Sequence, residues 1–115
     1  MEQATLPKSF DDLITQSEKP VLVDFWAEWC GACKMLSPTV QKVASEYKDR
    51  VVTIKVNVDK KPHLASRFQI SGIPTVMLFA GGKPVLRFSG ALPYDQFKLQ
   101  LDQALAKLRP PADHP

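Results

Sequence analysis

Six consecutive residues, Val21-Leu22-Val23-Asp24-Phe25-Trp26, restrict the folds open to this chain more than any other stretch. Apart from Asp24 they are aliphatic or aromatic without alternation, so as a strand they need apolar cover on both faces. A strand of that kind belongs inside a sheet with helices packed on each side. The rest of the sequence supplies those layers. Phe10, Leu13 and Ile14 fall at i, i+3, i+4, which predicts a short amphipathic helix ending before Pro20. Leu36, Val40, Val43, Ala44 and Tyr47 predict a long helix after the run. Pro38 lies inside it, where it removes a backbone donor and crowds the carbonyl of Lys34, so a kink is expected there.

Val52, Ile54, Val56 and Val58 alternate with Thr53, Lys55 and Asn57, a period-two strand. A short helix is expected over His63–Phe68, with Pro62 near its first turn. Thr75–Phe79 reads as a further strand, turned by Gly81-Gly82 into a partner over Val85–Phe88. Phe97, Leu101, Ala104, Leu105 and Leu108 predict a closing amphipathic helix. The alternation gives a parallel βαβ unit followed by an antiparallel hairpin, hence an α/β fold with a mixed sheet between helices. Residues 1–115 read as a single domain with a core over about 9–108 and a flexible, proline-bearing tail over 109–115.

Composition narrows the function. A hydrophobic fraction of 44% in 115 residues is enough for one compact core. The net charge of +3 comes from scattered lysines and arginines, with only Lys60 and Lys61 adjacent, so no focused basic face for nucleic acid is expected. Met1–Phe10 lacks the apolar run of a signal peptide, and no stretch approaches the roughly 20 residues of a membrane span. A soluble, cytoplasmic chain without a membrane partner is the expectation.

The two cysteines, Cys30 and Cys33, stand where the buried strand ends and the long helix begins. A loop this small removes little chain entropy, so the pair is a poor structural staple. At i, i+3 in a first helical turn the side chains point the same way and can be bridged. The helix end offers unpaired N–H groups and a positive dipole end, which lower the pKa of the outer thiol. Cys30 is then the attacking thiol, and Cys33, one turn in and shielded, resolves the mixed disulfide. Gly31 lets the backbone adapt. Zinc would need four ligands, and only His63 and His114 remain as soft partners, so no metal is expected. Asp24 is the other chemical anomaly. Burial of a carboxylate disfavours its charged form and raises its pKa, unless it faces solvent at a strand edge.

Phe25-Trp26-Ala27-Glu28-Trp29-Cys30-Gly31-Ala32-Cys33-Lys34 resembles the active-site signature of the thioredoxin family. The likeness runs from about Ser9 to Leu108 and includes Val23-Asp24-Phe25, Pro38, Val56-Asn57-Val58-Asp59 and Gly72-Ile73-Pro74-Thr75. The resemblance implies a thioredoxin fold, a central mixed sheet of four to five strands flanked by four helices. It also implies a protein-disulfide reductase. Asp24 would be the buried base that takes the proton of Cys33 through water, with Lys55 as its partner. Trp29 would help receive substrate beside Gly31 and Ala32, while Trp26 packs under the site. Pro74 would be a cis-proline facing the disulfide, with Gly72, Ile73, Gly90 and Ala91 lining a groove for an extended substrate. No bound cofactor is implied. Electrons would come from NADPH through a thioredoxin reductase, and the chain would work as a monomer on disulfide-containing proteins.

Two departures stand out. Ala32 occupies a position where the family usually has proline, which restores an N–H and shifts the expected potential toward oxidising. Met1–Pro7 leaves little room for the family's first strand, of which Thr5-Leu6 could form a remnant. A disulfide oxidase or isomerase in an exported compartment, and a binding module with incidental thiols, are the alternative readings.

Overall fold

The computed structural model describes residues 9–108. Helix α1 (Phe10–Gln16) leads into β1 (Val21–Trp26), α2 (Gly31–Glu46) and β2 (Val52–Asn57). Then come α3 (Pro62–Arg67), β3 (Thr75–Ala80), β4 (Lys83–Ser89) and α4 (Tyr94–Lys107). The four strands form one sheet in the order β2-β1-β3-β4. β1 pairs parallel with β2, from Val21↔Val52 to Trp26↔Asn57, and antiparallel with β3, from Val21↔Phe79 to Phe25↔Thr75. β3 and β4 are antiparallel. Among the described residues this is the mixed sheet with four helices that the sequence predicts. The expected strand remnant at Thr5-Leu6 and the tail over 109–115 lie outside the described residues.

Both faces of the sheet are covered, as the unalternating β1 run requires. Leu22, Val76 and Leu78 pack with Leu36, Val40 and Val43 of α2 and Phe97 and Leu101 of α4. On the opposite face Val21, Val23, Phe25, Met77 and Phe79 pack with Ile14 of α1 and Leu64 of α3. Side chains alternate along a strand, so Asp24 shares the face of Leu22 and lies under α2. Tyr47, 1% exposed, ties α2 to α4: its hydroxyl bonds Asp102 Oδ1 at 2.5 Å and accepts from Lys98 Nζ at 2.9 Å. Helix α2 runs through Pro38 as a single element.

Helix α1 begins at Ser9, whose Oγ accepts from the Asp12 N–H at 3.1 Å, with Asp11 and Asp12 in the first turn favouring that positive end. β2 stops at Asn57, one residue short of the alternating pattern that includes Val58. The β3–β4 turn has Gly81 at φ 59 and Gly82 at φ 84, the two left-handed positions of a two-residue hairpin. Pro84 follows on the edge strand beside a register shift at Leu78/Phe79, where a missing N–H is tolerated. Among the described residues no helix is long and apolar enough to cross a membrane.

At Gly82 a Cβ would adopt a left-handed backbone and approach Thr15 Cγ2 to 2.9 Å. Gly82→Ala is therefore expected to lower stability by about 1–2 kcal/mol, read from urea unfolding.

Candidate active site

The sense of each strand pairing brings the site together. β1 ends at Trp26, and β2, parallel to it, ends alongside at Asn57. β3 runs the other way, so its first residue, Thr75, lies against Phe25, and Ser89 at the end of β4 lies against Thr75. The segments 27–30, 58–59, 72–74 and 89–91 consequently meet at one edge of the sheet.

Cys30 is the N-cap of α2, with an extended backbone (φ −92, ψ 109), and is bridged to Cys33 with a Cα–Cα distance of 5.3 Å. The Cys33 N–H donates to Cys30 Sγ at 3.1 Å. A sulfur thus occupies the capping position that an oxygen usually takes, and the helix terminus is directed at it. No acidic residue lies in the first turn of α2 to oppose negative charge there. In the reduced protein this geometry favours a thiolate on Cys30. Exposure does not separate the two sulfurs in the disulfide form, since each cysteine is 5% exposed. The difference expected from depth is carried by the hydrogen bond instead.

Ala27, Cys30 and Cys33 form a small apolar cluster against Trp26, Ala32, Val58 and Ile73. Trp29 is 70% exposed, yet its indole Nε1 donates to Asp59 Oδ2 at 2.8 Å. Asp59 is held in turn by its N–H to Asn57 Oδ1 at 2.9 Å. Cys30 Sγ lies 3.6 Å from the Ile73 carbonyl oxygen, and the Ile73–Pro74 bond is cis. Among the described residues the Ile73 N–H has no protein acceptor. Beside this edge runs a groove of about 360 Å³ lined by Trp29, Val58, Pro62, Ala65, Ile70, Ser71, Gly72 and Ile73.

The structure places the other residues expected at the site as follows. Gly90 and Ala91 flank the site on the Pro74 side: the Gly90 N–H donates to the Pro74 carbonyl at 2.9 Å, and Ala91 packs toward the α2/α4 core. Gly31 is helical, with open space where a Cβ would stand, so neither φ nor crowding requires glycine. Pro38 is exposed and stands outside the cysteine cluster. Val58, Pro62, Ala65 and Ile70 are wall residues that sequence reading missed. Val58 carried a signal, as the apolar position just beyond β2, but the others lie around a short helix whose docking is non-local.

Asp24 is 3% exposed, and its Oδ1 has no hydrogen-bond partner. Burial pushes its pKa from 3.8 up to about 6, while the positive charge of Lys55 pulls it down. Lys55 is the register partner of Asp24 on β2, but its side chain is exposed and its Nζ lies 4.8 Å from the centroid of the Trp26 ring. The lysine therefore acts on the carboxylate through its field rather than through a contact ion pair.

With this geometry in place, the comparisons are decisive. The family model described as Thioredoxin matches residues 2–103. The chain belongs to the thioredoxin family. It is 50% identical over 100 residues to Thioredoxin 1 of Chlorobaculum tepidum, covering 87% of this chain and 99% of that protein. It is 47% identical over 90 residues to the thioredoxin of Alicyclobacillus acidocaldarius, covering 78% of this chain and 86% of that one. Thioredoxin Y of the rice chloroplast is 45% identical over 97 residues, which span 84% of this chain and 58% of that longer protein. The Cys30–Cys33 pair is the redox-active disulfide of a thiol–disulfide oxidoreductase, a protein-disulfide reductase working by dithiol–disulfide exchange.

The raised pKa of Asp24 makes a pH-dependent contribution to stability. A folded-state value above the unfolded one means that the native state holds the proton more tightly. That stability is fully present below pH 3.8 and is lost as pH rises through about 6. The rise corresponds to about 3 kcal/mol. Asp24→Asn should therefore be more stable than the wild type at pH 8, by up to about 3 kcal/mol, with the gap closing toward pH 4. Urea unfolding of both proteins across that range checks the sign.

Proposed function

We propose that Cys30 is the attacking thiolate and Cys33 the resolving thiol, and that substrates dock as extended chain against Ile73. The observation that carries the assignment is the Cys33 N–H directed at Cys30 Sγ from the first turn of α2. In the forward direction Cys30 thiolate attacks one sulfur of a substrate disulfide, releasing the other as a thiolate and leaving a mixed disulfide. Cys33 thiolate then attacks Cys30 Sγ. The substrate leaves with both sulfurs reduced, and two electrons have passed from the chain, now oxidised at Cys30–Cys33.

Resolution needs the Cys33 proton removed. Asp24 is the base in this reading, taking that proton through water. Its support is a buried, unpartnered carboxylate oxygen on the sheet face under α2, with a pKa of about 6 that suits proton uptake near neutrality. Lys55 tunes it. Trp29, held by Asp59, and the groove along Ile70–Ile73 receive the substrate, with the free Ile73 N–H available to pair with an extended chain. Gly31 and Ala32 form the open helical edge beside Cys30, and Gly72 leaves room for close approach.

Family membership supports a monomer that binds no cofactor and is recycled by a thioredoxin reductase using NADPH. A reductase needs a compartment in which thiols are kept reduced, which supports the cytoplasm. Electron transport to protein disulfides is then its cellular role. Ala32 tunes the couple. At the second helical position it keeps an N–H that proline would lack, and one more unpaired donor at the helix end favours the reduced, thiolate form.

Cys33→Ser is expected to accumulate a mixed disulfide between Cys30 and substrate, seen by mass spectrometry, while Cys30→Ser forms none. The reverse pattern would overturn the assignment. Asp24→Asn should leave the first attack unchanged and slow resolution about 10-fold or more at neutral pH. Ala32→Pro should lower the reduction potential by on the order of 10–30 mV, measured by equilibration with dithiothreitol buffers and thiol trapping. A wild-type potential near that of dedicated oxidases would instead favour disulfide formation.

A further inference from the structure

The wall of the groove is a loop, and the loop is held from the far edge of the sheet. Helix α3 ends with the Ile70 N–H bonded to the Ala65 carbonyl at 2.8 Å and the Gln69 N–H to Ser66 at 3.1 Å. Gln69 carries φ 54, the left-handed position that usually takes glycine at such a helix end. The chain turns there from α3 into the segment that carries Ile70 and Ile73. At that turn the Arg87 guanidinium reaches across from β4 and grips two carbonyls at once. Nη1 donates to Phe68 O at 2.5 Å and Nη2 to Gln69 O at 2.8 Å.

The other end of the same loop is fixed in a similar way. Thr75 Oγ1, fully buried, donates to Gly72 O at 2.5 Å and lies 2.9 Å from Ser89 Oγ. Arg87 and Ser89 are two apart on β4 and so project from the same face of the strand. Between these anchors Ser71 and Gly72 are exposed.

We infer that Arg87 is a positioning residue for substrate docking: its forked grip on Phe68 O and Gln69 O sets the loop that presents Ile73 to an extended protein substrate. The two carbonyls are each met by a separate nitrogen of one rigid guanidinium fork, a pairing that a lysine ammonium does not match. Arg87 touches neither sulfur, so its effect falls on protein substrates and spares the thiol chemistry. The inference rests on the reading that the Ile73 loop docks substrate.

The test uses single turnovers of pre-reduced protein with insulin, a disulfide-bonded protein, and with 5,5′-dithiobis(2-nitrobenzoate), a small disulfide that needs no extended docking. Arg87→Met keeps the aliphatic stem and removes the donors. It is expected to raise the half-saturating insulin concentration about 3–10-fold with the limiting rate held within 2-fold. The rate with the small disulfide and its pH profile should stay within 2-fold of wild type. Arg87→Lys should recover part of the loss, and it carries the same test should Arg87→Met fail to fold. Equal losses on both substrates, or no loss on insulin, overturn the inference. Ile73→Ala separates the two layers. If it leaves insulin half-saturation unchanged, the docking reading itself fails; if it raises that value while Arg87→Met does not, only the role of Arg87 fails.

Discussion

Strand β1 is hydrogen-bonded along both edges and covered by helices on both faces, and the rest of the molecule is arranged around that double enclosure. A strand enclosed on four sides has no room for polar side chains unless they are neutral or specially partnered. It also must leave the sheet at its carboxyl end, and α2 begins five residues beyond Trp26. The one place where β1 opens to solvent is therefore the place where a helix N-terminus arrives. The redox sulfurs sit at that opening, and their position follows from the enclosure of β1.

Two electrostatic effects of opposite sign then operate within the same region. The first turn of α2 lowers the free energy of negative charge on Cys30, through a directed N–H and the helix terminus. Burial raises the free energy of negative charge on Asp24. The proposed mechanism uses both. In the proposed reaction a thiolate on Cys30 must exist before substrate arrives, whereas Asp24, as the proposed base, must hold its charge weakly enough to accept a proton during resolution. Lys55 limits the second effect without cancelling it, because its ammonium lies over Trp26 in contact with solvent rather than against the carboxylate.

The loop side of the groove is built with little regular structure of its own. Phe68 anchors the end of α3 among Phe10, Phe25 and Phe79, with ring centroids 5.7, 6.2 and 5.2 Å away. An Arg67–Asp11 ion pair at 2.6 Å joins α3 to α1 at the surface. Past Phe68 the loop depends on Arg87 and Thr75 for its course. An exposed loop fixed by side chains at both ends can offer unpaired backbone groups to a partner without collapsing onto the sheet.

The sequence by itself determined the elements and their buried faces. Periods of 2 and 3.6 placed the alternating strand and the buried stripes of the helices, and the unalternating run at Val21–Trp26 required cover on both sides. It also located the cysteines at a strand–helix junction and singled out Asp24, because each signal lies in a few adjacent residues. The tertiary structure alone decided which loops meet. Gly90 is brought against Pro74, and Val58, Pro62, Ala65 and Ile70 wall the groove beside Trp29, because that depends on strand order and pairing sense across dozens of residues. The same holds for Arg87, whose carbonyl partners lie 18 and 19 positions earlier in the chain. An exposed arginine on an edge strand carries no local mark of what it grips. Its partners are set by a turn that only the folded sheet brings within reach.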